Sequence, residues 1–227
     1  NWSQELRLVG GTDALDWIIG AYISGEELDE AGNFLVLASQ GPDYFGLLIP
    51  GAGAVLSEGQ GLAGAYEQDA DSWALYTNNT YHFDEQWSVT FGARYTEEDK
   101  NGKTIINGTG TDGVVSENWP CAILPLPAFC DNAGYDLHRN ESKLTGTVKF
   151  GYAFNDDVSV YAGWSNGYKA GGFNLDPTAY KINDAGEVTG DSREFEEETV
   201  NTYEIGMKSQ WFDNRLTVNG AVYYIDW

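Results

Sequence analysis

Residues Trp87-Ser88-Val89-Thr90-Phe91-Gly92-Ala93-Arg94-Tyr95-Thr96 decide the fold. Trp87, Val89, Phe91, Ala93 and Tyr95 alternate with Ser88, Thr90, Gly92, Arg94 and Thr96. Successive side chains of a strand point to opposite faces, so one face is apolar and the other carries hydroxyls, a glycine and a guanidinium. In a soluble sandwich the apolar face mixes branched aliphatics without regard to position along the strand. Here Trp87 and Tyr95 stand at its two ends, where a lipid-facing strand meets the two headgroup layers and a ring with a wet tip is well placed.

The period of two recurs on both sides of this stretch. Upstream, Leu6 and Leu8 alternate with Glu5 and Arg7, and Trp17, Ile19, Ala21 and Ile23 with Asp16, Gly20, Tyr22 and Ser24. Downstream, Leu144, Val148, Phe150, Tyr152 and Phe154 alternate with Lys143, Thr145, Thr147, Lys149 and Gly151, and Val158, Val160, Ala162 and Trp164 with Asp157, Ser159, Tyr161, Gly163 and Ser165. Tyr203, Ile205, Met207 and Trp211 oppose Glu204, Gly206, Lys208 and Gln210, and Leu216, Val218, Val222 and Tyr224 oppose Thr217, Asn219, Ala221 and Tyr223. Trp73 to Phe83 is strand-like, but Asn78, Asn79 and Thr80 leave its facing open.

Tight-turn residues stand at Gly10-Gly11-Thr12-Asp13, Asp84-Glu85-Gln86, Asn155-Asp156 and Asp213-Asn214. Long connections are expected near residues 28–70, 98–142 and 169–198, and loops of that size are uncommon in a compact soluble domain. Short and long connections therefore alternate, as in barrels whose turns are tight on one side of the bilayer and long on the other. The expected fold is all-β: an antiparallel up-and-down transmembrane β-barrel segment of about eight strands, residues 1–227 forming one partial barrel domain.

Composition excludes some functions. A net charge of −23, from 35 acidic and 12 basic residues, argues against a nucleic-acid partner, which needs a basic footprint to displace counterions. From Glu26 to Asp71 there are nine carboxylates, Asp43 and Glu58 among them, and no lysine or arginine. Such a run keeps a loop solvated, and calcium held by converging carboxylates is the alternative. No stretch approaches the roughly 20 apolar residues of a membrane helix. The mean hydropathy of −0.38 is compatible with a barrel, because only alternate strand residues face lipid.

Enzyme motifs fail on context. Gly163-Trp164-Ser165-Asn166-Gly167 fits the pattern of a hydrolase nucleophile elbow, but the next residues, Tyr168-Lys169-Ala170-Gly171-Gly172, make a poor helix start. Gly51-Ala52-Gly53 begins a dinucleotide-like string in which Leu56 takes the third glycine's place. No enzyme, cofactor or metal site is expected. Cys121 and Cys130, nine positions apart, suit a local disulfide of an exported protein, worth about 3 kcal/mol at most. A zinc site would need two more ligands, and His138 alone does not complete one.

As an ordered set the motifs resemble the TonB-dependent outer-membrane receptors. Ser3-Gln4-Glu5-Leu6-Arg7-Leu8 with Leu15-Asp16-Trp17-Ile18-Ile19-Gly20-Ala21-Tyr22 resembles the first strand pair of a run typical of them. Phe91-Gly92-Ala93-Arg94-Tyr95-Thr96 is similar to their glycine, arginine, tyrosine strand. Val160-Tyr161-Ala162 through Gly167-Tyr168-Lys169-Ala170-Gly171-Gly172-Phe173-Asn174 is similar to a strand and loop entry of that family. Glu198-Thr199-Val200, Tyr203-Glu204-Ile205-Gly206-Met207-Lys208 and Phe212-Asp213-Asn214-Arg215-Leu216 complete the match.

The resemblance implies a plugged barrel of 22 strands in the outer membrane of a Gram-negative bacterium. It also implies uptake of a scarce nutrient such as a ferric siderophore or cobalamin, energised through the TonB complex. The expected partners are TonB, outer-membrane lipid and a nutrient ligand such as an iron chelate. The chain is read as an internal stretch of such a barrel, without the plug domain and the segment that engages TonB.

Faces and loops then assign candidate residues. Arg94, Lys143, Lys149, Glu204 and Lys208 belong to the lumen face, where they solvate the lumen or anchor the plug. Ligand contact is expected at the outer mouth, from Tyr168, Lys169, Phe173 and Asn174 with Trp119 behind them. Rings give contact area at small entropy cost, and Lys169 suits an anionic chelate. Two other readings fit the residues: a complete eight-stranded outer-membrane barrel, closed by a first-to-last strand pair, and a secreted carbohydrate-binding β-sandwich or two-carboxylate glycosidase.

Overall fold

The computed structural model describes residues 1–36, 61–109, 134–174, 180–182, 188–191 and 193–227. In chain order its strands are β1 (Trp2–Gly11), β2 (Leu15–Val36), β3 (Gly61–His82), β4 (Trp87–Thr109), β5 (Gly134–Asn155) and β6 (Val158–Lys169). Four short strands come next, β7 (Gly172–Phe173), β8 (Tyr180–Ile182), β9 (Val188–Asp191) and β10 (Glu194–Phe195), then β11 (Glu198–Trp211) and β12 (Leu216–Asp226). One eight-stranded antiparallel sheet runs in the order β1-β2-β3-β4-β5-β6-β11-β12, while β7 pairs with β10 and β8 with β9.

The tight turns all fall at one end of this sheet, and each is built by the residues at its bend. Thr12 Oγ1 accepts the N–H groups of Ala14 and Leu15. Asp84 Oδ1 accepts those of Gln86 and Trp87, and Asn155 Oδ1 those of Asp157 and Val158. The fourth turn holds Phe212, Asp213 and Asn214 in the left-handed region, with φ of 57, 56 and 63°, a conformation that Asp and Asn tolerate best. The strand ends that the other three connections join lie at the opposite end.

Register aligns the apolar residues into one band. Leu8 faces Ile19, Tyr81 faces Val89, Val89 faces Phe150, and Phe91 faces Val148. Val148 in turn faces Trp164, Trp164 faces Tyr203, and Tyr203 faces Tyr224. None of Val89, Phe91, Val148, Phe150, Val158 and Val160 is buried. Among the described residues only Ala74 and Phe173 are buried apolar side chains, so no second layer covers the band. Paired rings mark its two borders, Trp87 with Tyr152 at 4.6 Å and Trp73 with Tyr95 at 5.5 Å. Trp87 to Tyr95 is about 27 Å of strand, comparable to the apolar band about 25 Å tall of outer-membrane barrels.

Two expectations need correction. The long connections near 28–70 and 98–142 begin later than the sequence suggests, because β2 to β5 run on for 22 or 23 residues each. Beyond Tyr95 the outer face of β4 becomes Glu97 and Asp99, so the alternation loses its apolar member while pairing continues through Asp71↔Asp99 and Asp99↔Asn140. The region near 169–198 likewise carries β7 to β10. The rival architectures also fall. A sandwich needs a second large sheet over the apolar face, and a closed eight-stranded barrel needs β1 paired with β12, whereas these two strands are the free edges of the sheet.

Candidate functional site

The face turned away from the apolar band carries the polar chemistry. At membrane height it is tied together by tyrosines laid over glycines. Tyr76 on β3 lies across Gly20 on β2, where any Cβ would collide with the ring, and its hydroxyl donates to Glu5 on β1. Tyr161 on β6 lies across Gly206 on β11, where a Cβ would stand 2.5 Å from the ring, and its hydroxyl donates to Glu204. Each ring fills the space its facing glycine leaves, and each carboxylate gains a charge-assisted donor.

Two cations of this face, Arg94 and Lys149, lie over tyrosine rings. Arg94 Cζ is 5.5 Å from the Tyr22 ring centroid and 5.8 Å from that of Tyr76, and Arg94 Nε donates to Thr96 Oγ1 at 3.1 Å. Lys149 Nζ is 5.7 Å from the Tyr161 centroid. Such contacts contribute about 0.5–1 kcal/mol each at exposed sites. Arg94 borders a recess of about 320 Å³ with Asn78, Thr145, Thr147 and Ser165. Lys149 and Lys208 border another of about 410 Å³ nearer the tight turns.

Above the aromatic border this wall becomes ionic. Lys100 pairs with Glu98 at 2.5 Å, Arg139 with Glu141, and Lys143 with Glu197. Strand β6 pairs with β5 only as far as Gly146↔Asn166 but stays with β11 to Lys169↔Glu198, so its end leaves β5. Tyr168 thereby reaches the Thr96 hydroxyl and lies near Glu98, Glu141 and Arg94. Burial, reinforced by the two carboxylates, pushes its phenol pKa up.

The other mouth residues fare differently. Lys169 and Asn174 are exposed, and the Asn174 N–H donates to the Arg193 carbonyl at 2.6 Å. Phe173 is only 6% exposed, its ring against Gly102, where an added Cβ would come within 2.5 Å. Phe173 is therefore an anchor, and its ring is not offered to a ligand. Trp119, Cys121, Cys130, Asp43 and Glu58 lie outside the described residues.

Sequence reading missed the pairing of Tyr76 and Tyr161 with distant glycines and carboxylates, and it missed Lys100, Arg139 and Glu141. A glycine and a tyrosine at alternate positions of separate strands were the available signal, but only the register joins them.

A single sheet with lipid on one side and a hydrogen-bonded polar wall on the other defines the wall of an outer-membrane β-barrel. The family model described as "TonB dependent receptor-like, beta-barrel" matches residues 2–227. The chain belongs to the barrel of the TonB-dependent receptors, proteins of the Gram-negative outer membrane.

Among curated relatives, the pesticin receptor of Yersinia enterocolitica is 23% identical over 159 residues, which are 68% of this chain and 18% of the relative. The ferric yersiniabactin uptake receptor FyuA of Yersinia pestis shares the fold with a TM-score of 0.65 at 20% identity, over 98% of this chain and 28% of that one. The ferric-catecholate import receptor Fiu of E. coli K12 gives 0.60 at 14% identity, over 97% and 30%. The chain thus spans less than a third of the length of these proteins.

Proposed function

We infer that this chain forms part of the wall and outer mouth of a receptor that imports a ferric siderophore, with the energy delivered through TonB. The observation that carries the reading is the two-sided sheet: an uncovered apolar band outside, and inside a polar wall whose cations are matched by rings and carboxylates. Membership of the receptor family and the cargo named for FyuA and Fiu support an iron chelate as ligand. Ligand contact falls to Tyr168, Lys169 and Asn174, with Trp119 as a further candidate. Lys169 supplies an exposed cation for an anionic chelate, and the inner-wall groups Arg94, Lys143, Lys149, Glu204 and Lys208 hold whatever fills the lumen.

The test is uptake of radiolabelled iron, offered as ferric yersiniabactin or as a ferric catecholate, by cells that carry the receptor and have no other route for these chelates. Accumulation that disappears when TonB is deleted supports the reading. Accumulation of neither chelate, or passage that persists without TonB, contradicts it.

A further inference from the structure

The least expected feature of the chain is a strap that lies on the inner wall above the membrane. Strands β4 and β5 there set Lys100 directly opposite Arg139 and Glu98 directly opposite Glu141. Like charges facing each other across a ladder repel, so this wall is stable only if the charges find partners off the row. Lys100 takes Glu98 and also donates to the Gly171 carbonyl at 3.0 Å. Glu141 takes Arg139 and accepts the Gly171 N–H at 2.9 Å. The remaining guanidinium contacts of Arg139 go to the strap: Nη2 donates to Glu196 Oε2 at 2.7 Å, and Nη1 lies 3.7 Å from Glu194 Oε2. Lys143 takes Glu197.

The strap's own backbone closes the arrangement. Its two ends pair as β7 with β10, Gly172 facing Phe195 and Phe173 facing Glu194. A side chain at Gly171 would collide with Arg139, and one at Gly172 with the Phe195 ring, so the close approach requires both glycines. Phe173 seals the contact from beneath by packing on Gly102. The Arg139 and Glu141 side chains are 14% and 11% exposed, whereas Glu194 and Glu196 are 48% and 86% exposed. The wall half of this clamp is shielded, whereas the strap's two carboxylates face water.

We propose that Arg139 is a positioning residue that clamps the β7–β10 pair to the inner wall, so that Lys169 and Asn174 are set at the mouth before any ligand arrives. Only the consequence for ligand binding rests on the uptake reading above. The clamp itself is testable without a ligand.

The experiment is limited trypsin digestion of the receptor in outer-membrane vesicles, tracking cleavage after Arg193, which precedes β10. Two variants release the clamp from opposite sides: Arg139→Gln on the wall, and the double variant Glu194→Gln with Glu196→Gln on the strap. The heat-dependent gel shift of a folded barrel is recorded for each. Both variants are expected to raise cleavage after Arg193, scaled to the rate at which the same variant is cut when denatured, about tenfold while keeping the gel shift, since local opening is governed by the contacts that hold the segment closed. Ferric yersiniabactin and a ferric catecholate are then offered as probes, and whichever the unaltered receptor binds is expected to bind about tenfold more weakly to both. Cleavage unchanged in the double variant overturns the proposal. So does release confined to Arg139→Gln with loss of the gel shift, because Arg139 would then serve only the folding of the wall. Cleavage that rises while neither probe binds even the unaltered receptor upholds the clamp and counts against the uptake reading alone.

Discussion

The lower and upper halves of β4 and β5 solve one problem in two ways. Below Tyr95 the outer face is Trp87, Val89, Phe91 and Ala93 against Phe150 and Val148, and the inner face is hydroxyls, glycines, Arg94 and Lys149, flanked on β2–β3 and β6–β11 by tyrosines seated on glycines. Above it the outer face is Glu97, Asp99 and Asn101, and the inner face is stitched by Lys100, Arg139 and Lys143 with carboxylates. The backbone ladder runs through both halves without interruption. The difference is the medium outside: hydrocarbon below, where a charge on the outer face is costly, and water above, where ion pairs are cheap to solvate and aliphatic residues gain nothing from exposure.

The contrast breaks most sharply on the outer face. Phe91→Arg places a cation near the middle of the apolar band and should destabilise the barrel by about 2–4 kcal/mol. Glu97→Arg, only a few residues along the same face, should stay within about 0.5 kcal/mol. Denaturant unfolding of the receptor refolded into lipid vesicles measures both. Equal losses at the two positions would mean that the acidic half is not in water.

A smaller effect tests the inner stitches. Gly20→Val forces the Tyr76 ring off its seat and away from Glu5, an overpacking change of about 1–3 kcal/mol. Gly220→Val, whose Cβ would meet nothing within 4 Å, should cost nothing measurable in the same unfolding assay.

The ionic half was harder to read from sequence than the lipid half, and the reason is physical. Period-two patterning is visible wherever one face is greasy, so Trp87 to Thr96 announces its strand and its facing. From Glu97 to Thr104 neither face carries an apolar side chain, the alternation has no contrast, and the rest of the paired strand, to Thr109, passes for loop. Asn79 was ambiguous for a related reason. It lies on the lipid side opposite Phe91, a position a polar residue tolerates because its amide donates to Thr77 Oγ1 and Thr77 in turn donates to the Ile18 carbonyl. The mouth was only partly legible: aromatic and cationic residues near Gly171-Gly172 could be named, but their roles depend on which strand lies opposite. Phe173, chosen as a ligand-facing ring, is the anchor of the strap. Arg139, far earlier in the chain, is the group that holds it.

The smallest predicted effect is pH-dependent. The hydrogen bond from Arg139 holds the Glu196 carboxyl below the ordinary carboxylate range. A depressed folded-state value means that the pair contributes fully above the unfolded value, about 4.3, and is lost as pH falls through the folded one. Amide exchange across 193–197, corrected for intrinsic rate, should therefore accelerate as pH falls below about 4.3, while β3 around Tyr76 keeps its protection. Uniform behaviour of the two regions would remove the distinction between ionic and aromatic stitching.

The most direct test of the whole account is a nitroxide scan along residues 87–96 of the receptor in lipid vesicles, comparing collision with oxygen, which concentrates in lipid, and with a water-soluble nickel chelate. The two-sided wall predicts high oxygen and low nickel accessibility at Val89, Phe91 and Ala93, with low oxygen accessibility at Ser88, Thr90 and Gly92. Odd positions shielded from both reagents would place the apolar band under a protein layer and contradict the account.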